Sequence, residues 1–244
     1  MTTAIKIEGL TKRYKDVTAV EGLNLEISEG ELFSLLGVNG AGKTTTIKML
    51  STLVKPTSGD ATIFGYSVLR DEEKIKEIID ISMQETAIAR KLTVEENIEF
   101  YGRLSGQDKA GLNEMKKVIY EAFGFEKIAK KQASKLSGGW QRKLSIALAL
   151  ISKPRILFLD EPTLGLDVIA RRELWKTING LKGKMTIILT THYMEEAEAL
   201  ADRIGIMKDG RLLFVGTKED QNGKTGKTNV EDSFIEIVSG GESL

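Results

Sequence analysis

An apolar run, Leu32 to Leu36, interrupted only by Ser34, opens onto Gly37-Val38-Asn39-Gly40-Ala41-Gly42-Lys43-Thr44-Thr45 and then onto a helical stretch from about Lys43 to Leu53. This succession restricts the fold tightly. An apolar run without polar alternation belongs to a strand buried on both faces, the usual setting of a parallel sheet covered by helices. Gly37 and Gly42 let the backbone turn sharply and approach a ligand closely. Successive N–H groups ending at a helix N-terminus face an anion. Lys43 and Thr44 complete the G-x-x-x-x-G-K-T spacing of a loop that cradles nucleotide phosphates. Lys43 is expected to reach the β- and γ-phosphates, and the Thr44 hydroxyl to hold Mg²⁺. A glycine-rich turn that binds nothing would not require the buried strand before it or the helix after it. A second stretch, Gly223 to Thr228, has Lys218 and Gln221 where the first glycine should stand, and no buried strand precedes it. It is expected to be part of a solvated loop, Thr217 to Asn229.

The rest of the chain fits an α/β core around that loop. Ile5 and Ile7, then Leu23, Leu25 and Ile27, alternate with polar residues and predict two half-exposed antiparallel strands. Thr62 to Gly65 reads as an edge strand. From Ala87 to Ser152 the spacing turns helical, as in Val94, Ile98, Tyr101 and Leu104. Buried strands return at Ile156–Leu159 and Thr186–Leu189. Asp209-Gly210 predicts a hairpin between Ile204–Met207 and Leu212–Val215, and Val230–Val238 a closing helix. The expected fold class is α/β: a P-loop NTPase core (1–86 and 153–244) with an antiparallel β subdomain and a helical insertion (87–152), all in one domain, 1–244.

Composition removes several other classes. Lys plus Arg and Asp plus Glu are 35 each, so no global charge imbalance draws the chain to nucleic acid or to a membrane surface. There is no cysteine, which excludes disulfides and thiolate metal sites. The longest apolar run, Ile146 to Ile151, is six residues, far short of the ~20 that a spanning helix needs. If the protein works at a membrane, another chain must cross it.

Two more segments carry chemistry. Ile156 to Leu159 deliver Asp160 and Glu161 to the end of a buried strand, where carboxylates are costly unless paired or bound to metal. Beside a phosphate loop, Asp160 can hold Mg²⁺ directly or through water, leaving Glu161 to orient and polarise the attacking water. Leu136-Ser137-Gly138-Gly139 opens a helical stretch, which makes a second anion-binding helix terminus with a small hydroxyl. A plain N-cap role for Ser137 is compatible with this.

In this order, the motifs resemble the nucleotide-binding subunit of an ABC (ATP-binding cassette) transporter, over nearly the whole chain. Tyr14 matches the aromatic residue that stacks on adenine, Gly37 to Thr45 the Walker A loop, and Gln84 the Q-loop. Leu136 to Gln141 matches the signature, Ile156 to Glu161 Walker B, Leu166-Asp167 the D-loop, and His192, the sole histidine, the switch histidine. The resemblance implies ATP and Mg²⁺ as ligand and cofactor, with Gln84 joining Thr44 and Asp160 around the metal. It gives Glu161, His192 and Gln84 the catalytic roles. It also implies a head-to-tail pair in which Ser137, Gly138, Gly139 and Gln141 face the ATP held by the other subunit's Walker A loop. The fifth signature position is usually glutamine; here it is Trp140, with Gln141 in sixth place.

The stretches Leu92 to Asn97, Phe100-Tyr101-Gly102 and Thr191 to Glu198 resemble ABC-2 type exporter ATPases, the drug-resistance subunits among them. Expected partners are a second ATPase subunit, identical or related, and separate membrane permease subunits, with no nucleic acid. The expected place is the cytoplasmic face of the cell membrane. The groove around Gln84 to Tyr101 would receive the permease, with Phe100 or Tyr101 available for contact. A soluble cassette outside transport, or a regulatory module that does not hydrolyse, remains as an alternative. Intact Lys43, Glu161 and His192 speak against the latter.

Overall fold

The structure, a computed structural model, describes residues 2–227 and 229–240. In chain order the elements are β1 (Thr3–Tyr14), β2 (Val17–Ser28), β3 (Leu32–Gly37), α1 (Lys43–Leu50), β4 (Ser58–Ile63), β5 (Tyr66–Ser67), α2 (Glu72–Lys76) and β6 (Ile79–Ser82). Then come α3 (Val94–Leu104), α4 (Lys109–Phe123), a short 3-10 turn (Ala133–Lys135) and α5 (Gly138–Ala149). The chain continues through β7 (Ile156–Asp160), α6 (Val168–Asn179), β8 (Thr186–Thr191), α7 (Met194–Leu200), β9 (Arg203–Lys208), β10 (Arg211–Gly216), α8 (Lys218–Thr225) and α9 (Val230–Ser239).

Two sheets result. One is antiparallel, in the order β2-β1-β4-β5; the other runs β10-β9-β3-β8-β7-β6. In the second, β6, β7, β8, β3 and β9 are mutually parallel, and β10 closes one edge as an antiparallel hairpin. Every residue of β3, β7 and β8 is buried, as the apolar runs require. Successive residues of a strand point to opposite faces. Thus Ile156 and Phe158 enter a core shared with Ile5, Leu23 and Ile27 of the first sheet and with Ile47 of α1. Leu157 and Leu159 enter a second core with Ile98, Leu144, Leu148, Leu174 and Ile178, from α3, α5 and α6. Burying a side chain of this size contributes about 1.5–3 kcal/mol. The central strands are therefore held from both sides, and their C-terminal ends become a rigid platform.

Several expectations need correction. β1 and β2 each run twelve residues, well past the alternating segments that announced them. Thr62 to Gly65 is not an edge strand: β4 ends at Ile63 and lies between β1 and β5. α1 stops at Leu50, and Thr52 turns into the left-handed region (φ 62°). The expected loop 217–229 is helical over Lys218–Thr225. Thr217 and Asp220 form a reciprocal capping box there, and buried Gln221 donates from Nε2 to the Val230 carbonyl at 3.1 Å. The second glycine–lysine–threonine stretch therefore begins on a helix, while Thr228 lies outside the described residues. The Asp209-Gly210 hairpin turn is as expected, with both residues at positive φ.

Candidate active site

The carboxyl ends of β3, β7 and β8 meet at one cleft of about 580 Å³. Its walls are Tyr14, Ala19, the loop Asn39 to Thr45, Gln84, Glu161, Leu164 and His192. The loop has its shape because the glycines permit it. Gly40 and Gly42 sit at φ 82° and 103°, where a side chain is strained. A Cβ on Gly42 would come within 2.4 Å of the Ala19 carbonyl oxygen, and one on Gly37 within 2.4 Å of the Met207 carbonyl oxygen.

Lys43 is buried, and its ammonium donates to the Gly37 carbonyl (2.6 Å) and the Val38 carbonyl (3.2 Å). It also pairs with Glu161 Oε1 at 3.2 Å. All three of its protons thus have acceptors. Gly37 and Val38 do not line the cleft; they hold Lys43 instead.

Glu161 is pinned from a second side, with its Oε2 2.7 Å from His192 Nδ1. Its backbone has φ 49°, a costly conformation for a residue with a Cβ, and such strain collects at functional sites. The turn is fixed by the Glu161 N–H, which donates to the backbone oxygen and to the hydroxyl of Thr190, both at 3.1 Å. The Thr190 hydroxyl in turn donates to Asp160 Oδ1 at 2.6 Å. The Thr44 hydroxyl lies 3.0 and 3.1 Å from the two oxygens of fully buried Asp160.

Among the described residues there is no group of three His, Cys, Asp or Glu side chains that could hold a metal. What the chain offers is a pair of hard oxygen donors beside the phosphate loop. That set fits Mg²⁺, which keeps several waters and takes substrate phosphates as further ligands. Gln84 lines the cleft and also the adjoining recess that Thr44, Lys48 and Asp160 share. Tyr14 stands at the cleft with its ring 44% exposed, and the Lys12 ammonium lies 5.0 Å from the ring centre.

The signature is elsewhere. None of Leu136 to Gln141 lines the cleft. Ser137 is exposed at the N-cap of α5, and its hydroxyl makes no capping bond. Gln141 turns back, donating from Nε2 to the Leu136 carbonyl at 3.0 Å. Trp140 points into its own lobe, 6.0 Å from the Phe125 ring centre and under the Lys143 ammonium. Asp167 accepts from the N–H groups of Ile169 and Ala170, both at 2.9 Å, and so caps α6. Of the aromatics on α3, Phe100 is 47% exposed, while Tyr101 packs on the core and donates from its hydroxyl to the Ala87 carbonyl.

Beyond Ala19 and Leu164 of the cleft wall, two residues behind it were not singled out by their pattern. Thr190 is one, although a hydroxyl closing the apolar run Thr186–Leu189 was a signal. Arg142 is the other. It is buried on α5 among leucines and alanines, and its guanidinium donates to the Met83 carbonyl (2.6 Å) and the Gln84 carbonyl. Burial presses its pKa below the usual arginine value, opposed by Asp160 and Glu196. An arginine at a core position of a helix is itself a sign of a backbone partner.

Comparison with known proteins agrees with this geometry. The family model described as ABC transporter matches residues 20–164. The chain is 37% identical over 230 residues to the daunorubicin resistance ATP-binding protein DrrA3 of Streptomyces coeruleorubidus, covering 94% of this chain and 73% of that one. It is 38% identical over 238 residues to the linearmycin resistance ATP-binding protein LnrL of Bacillus subtilis, covering 97% and 75%. A solved dimer of the ATP-binding cassette MJ0796, in a post-hydrolysis state with ADP and Pi, superposes with a TM-score of 0.77 at 26% identity, over 87% of this chain and 98% of that one. With its phosphate loop, its Asp160-Glu161 strand end and these relatives, the chain belongs to the ABC transporter family, as one of its ATP-binding, ATP-hydrolysing cassettes.

Proposed function

We propose that two cassettes, this chain and a second copy or a related one, close around ATP, and that closure and release drive export through separate membrane-spanning subunits. The observation that carries this is the division of the groups. Lys43, Glu161 and His192 meet in one cleft, while Ser137 and the N-terminus of the twelve-residue α5 stand outside it with nothing to bind. A helix terminus bearing a free hydroxyl attracts an anion, and the phosphates of a second cassette's ATP are the anion within reach of a paired arrangement. The turned-back Gln141 leaves that contact to Ser137 and the glycine N–H groups, with Trp140 anchoring the lobe.

Within the cleft the roles follow from contacts. Tyr14 offers a ring face to adenine. The N–H groups of Asn39 to Thr45 hold phosphate oxygens, and Lys43 exchanges an acceptor for the β- and γ-phosphates. Thr44 and Asp160 hold Mg²⁺, with Gln84 beside them; bound there, Mg²⁺ neutralises charge on the phosphates. Freed from part of its pairing with Lys43, Glu161 accepts the proton of the attacking water, and His192 keeps its carboxylate oriented, a base held by a third group. No helix among the described residues is long and apolar enough to cross a membrane. Attachment at the cytoplasmic face comes, in this reading, through the permease, for which exposed Phe100 on α3 offers a docking point. The drug-resistance names of the relatives favour export over import.

The test is Glu161→Gln. It should abolish turnover and, with ATP, accumulate as a dimer on size-exclusion chromatography. A variant that stays monomeric and hydrolyses ATP normally would sink the proposal.

A further inference from the structure

Glu196, in the first turn of α7, is fully buried. A carboxyl in such a place costs several kcal/mol unless it is bonded, and a leucine would fill the volume without that cost. Its surroundings explain what it does there. Oε1 accepts from the indole Nε1–H of Trp175, on α6, at 2.9 Å. Burial raises the pKa of this carboxyl, and the nearby hydroxyls of Thr191 and Thr163 oppose that rise. No hydrogen bond of good geometry forms with them, and Oε2 and Thr163 Oγ1 are both buried without a partner.

These neighbours come from three different parts of the catalytic apparatus. Thr163 is two residues past Glu161, on the exit from β7. Thr191 immediately precedes His192. Trp175 belongs to the helix that Asp167 caps. A second contact ties the same helix to the same turn: the Arg171 guanidinium lies 4.5 Å from the Tyr193 ring centre, with Glu195 4.0 Å away. The D-loop helix is thus fastened to the turn that bears the switch histidine.

We propose that Glu196 is a positioning residue for hydrolysis: it ties the His192 turn to α6, so that displacement of the D-loop by a neighbouring cassette moves the Glu161–His192 pair. The side chain does not line the cleft and acts only through the geometry of that pair. The inference rests on the roles given above to Glu161 and His192. A protonated carboxyl and a carboxamide can both accept from Trp175 and donate to a threonine hydroxyl, so glutamine is the conservative replacement.

The experiment is steady-state ATP hydrolysis by Glu196→Leu, Glu196→Gln and Trp175→Phe, beside Glu161→Gln and the wild type. Glu196→Leu should lower kcat by about tenfold to a hundredfold, the range expected when reacting groups are slightly misplaced, with KM for ATP unchanged. Glu196→Gln should restore most of kcat. Trp175→Phe should fall in the same direction as Glu196→Leu, and the double variant should be no worse than the poorer single one. Wild-type kcat in Glu196→Leu, or a loss shared equally by kcat and ATP affinity, overturns the proposal. Should Glu196→Leu fail to fold, Trp175→Phe decides, and an unchanged kcat there overturns it too. If Glu161→Gln hydrolyses ATP normally, the assignment of the base is what has failed. If Glu161→Gln is inactive and the Glu196 and Trp175 variants are normal, only the positioning role falls.

Discussion

Thr190 serves two groups with one hydroxyl, accepting from the Glu161 N–H and donating to Asp160 Oδ1. It thereby fixes the spacing between the Asp160 carboxylate and the Glu161 backbone. Valine has the same shape and neither bond. Thr190→Val should cost about 1–3 kcal/mol, because the buried Asp160 oxygen and the Glu161 N–H each lose a partner. Urea denaturation would show this as a lower midpoint with an unchanged slope. A variant as stable as the wild type would mean that Asp160 finds its donors elsewhere. The strained φ of Glu161 belongs to the same scale. The backbone there is held by Thr190 and by the flanking buried strands, and not by any preference of glutamate.

At the scale of elements, the signature glycines divide their duties. A Cβ on Gly139 would stand 3.0 Å from the Ala170 Cβ of α6, whereas one on Gly138 would meet only the Leu166 Cδ2 at an ordinary 3.7 Å. At Gly139, therefore, α5 lies close against the D-loop helix. Gly139→Ala should lower the melting temperature, and Gly138→Ala should leave it level or raise it, since alanine is favoured over glycine in helices by about 0.5–1 kcal/mol. Thermal melts of the two variants in the absence of nucleotide would separate them, and equal melting temperatures would deny the close approach. Elements defined by burial on both faces or by glycine spacing were legible in the sequence: β3, β7, β8, the phosphate loop and the β9–β10 turn. α8 was not, because its stability comes from the Thr217–Asp220 capping box and from buried Gln221 rather than from an apolar stripe. The far halves of β1 and β2 were missed for a related reason. Register shifts between Ile7 and Leu10, and again around Lys12, break the period-two alternation that marks a strand. Within the site, the polar side chains presented to the cleft were legible as motifs, while apolar Ala19 and Leu164 were not. Arg142, Thr190 and Glu196 were not, because they bind backbone groups or single side chains distant in sequence and follow no spacing of their own.

At the scale of the molecule, the helical lobe and the parallel sheet meet through Arg142, which reaches from the signature helix to the carbonyls of Met83 and Gln84. Arg142→Met keeps most of the side-chain length and loses both bonds. It should speed amide hydrogen exchange over residues 83–87 and reduce stability by about 2 kcal/mol or more, as expected when buried carbonyls lose a charged donor. Unchanged exchange there would show that the Q-loop is held by other contacts. Ser137→Ala belongs to this scale too, because the proposed site is divided between two molecules. It should impair turnover while one chain alone still binds ATP with wild-type affinity, as measured by calorimetry. Equal losses of binding and turnover would contradict a site divided between subunits. Finally, tryptophan occurs only at positions 140 and 175, on α5 and α6. Trp140 sits behind the signature with the Lys143 ammonium 4.7 Å from its ring centre, and Trp175 bonds to a carboxyl behind the switch turn. The protein thus carries an optical label on each side of the α5–α6 contact. In chains reduced to one indole or the other, ultraviolet emission can follow the signature helix and the D-loop helix separately, in real time and without an attached dye.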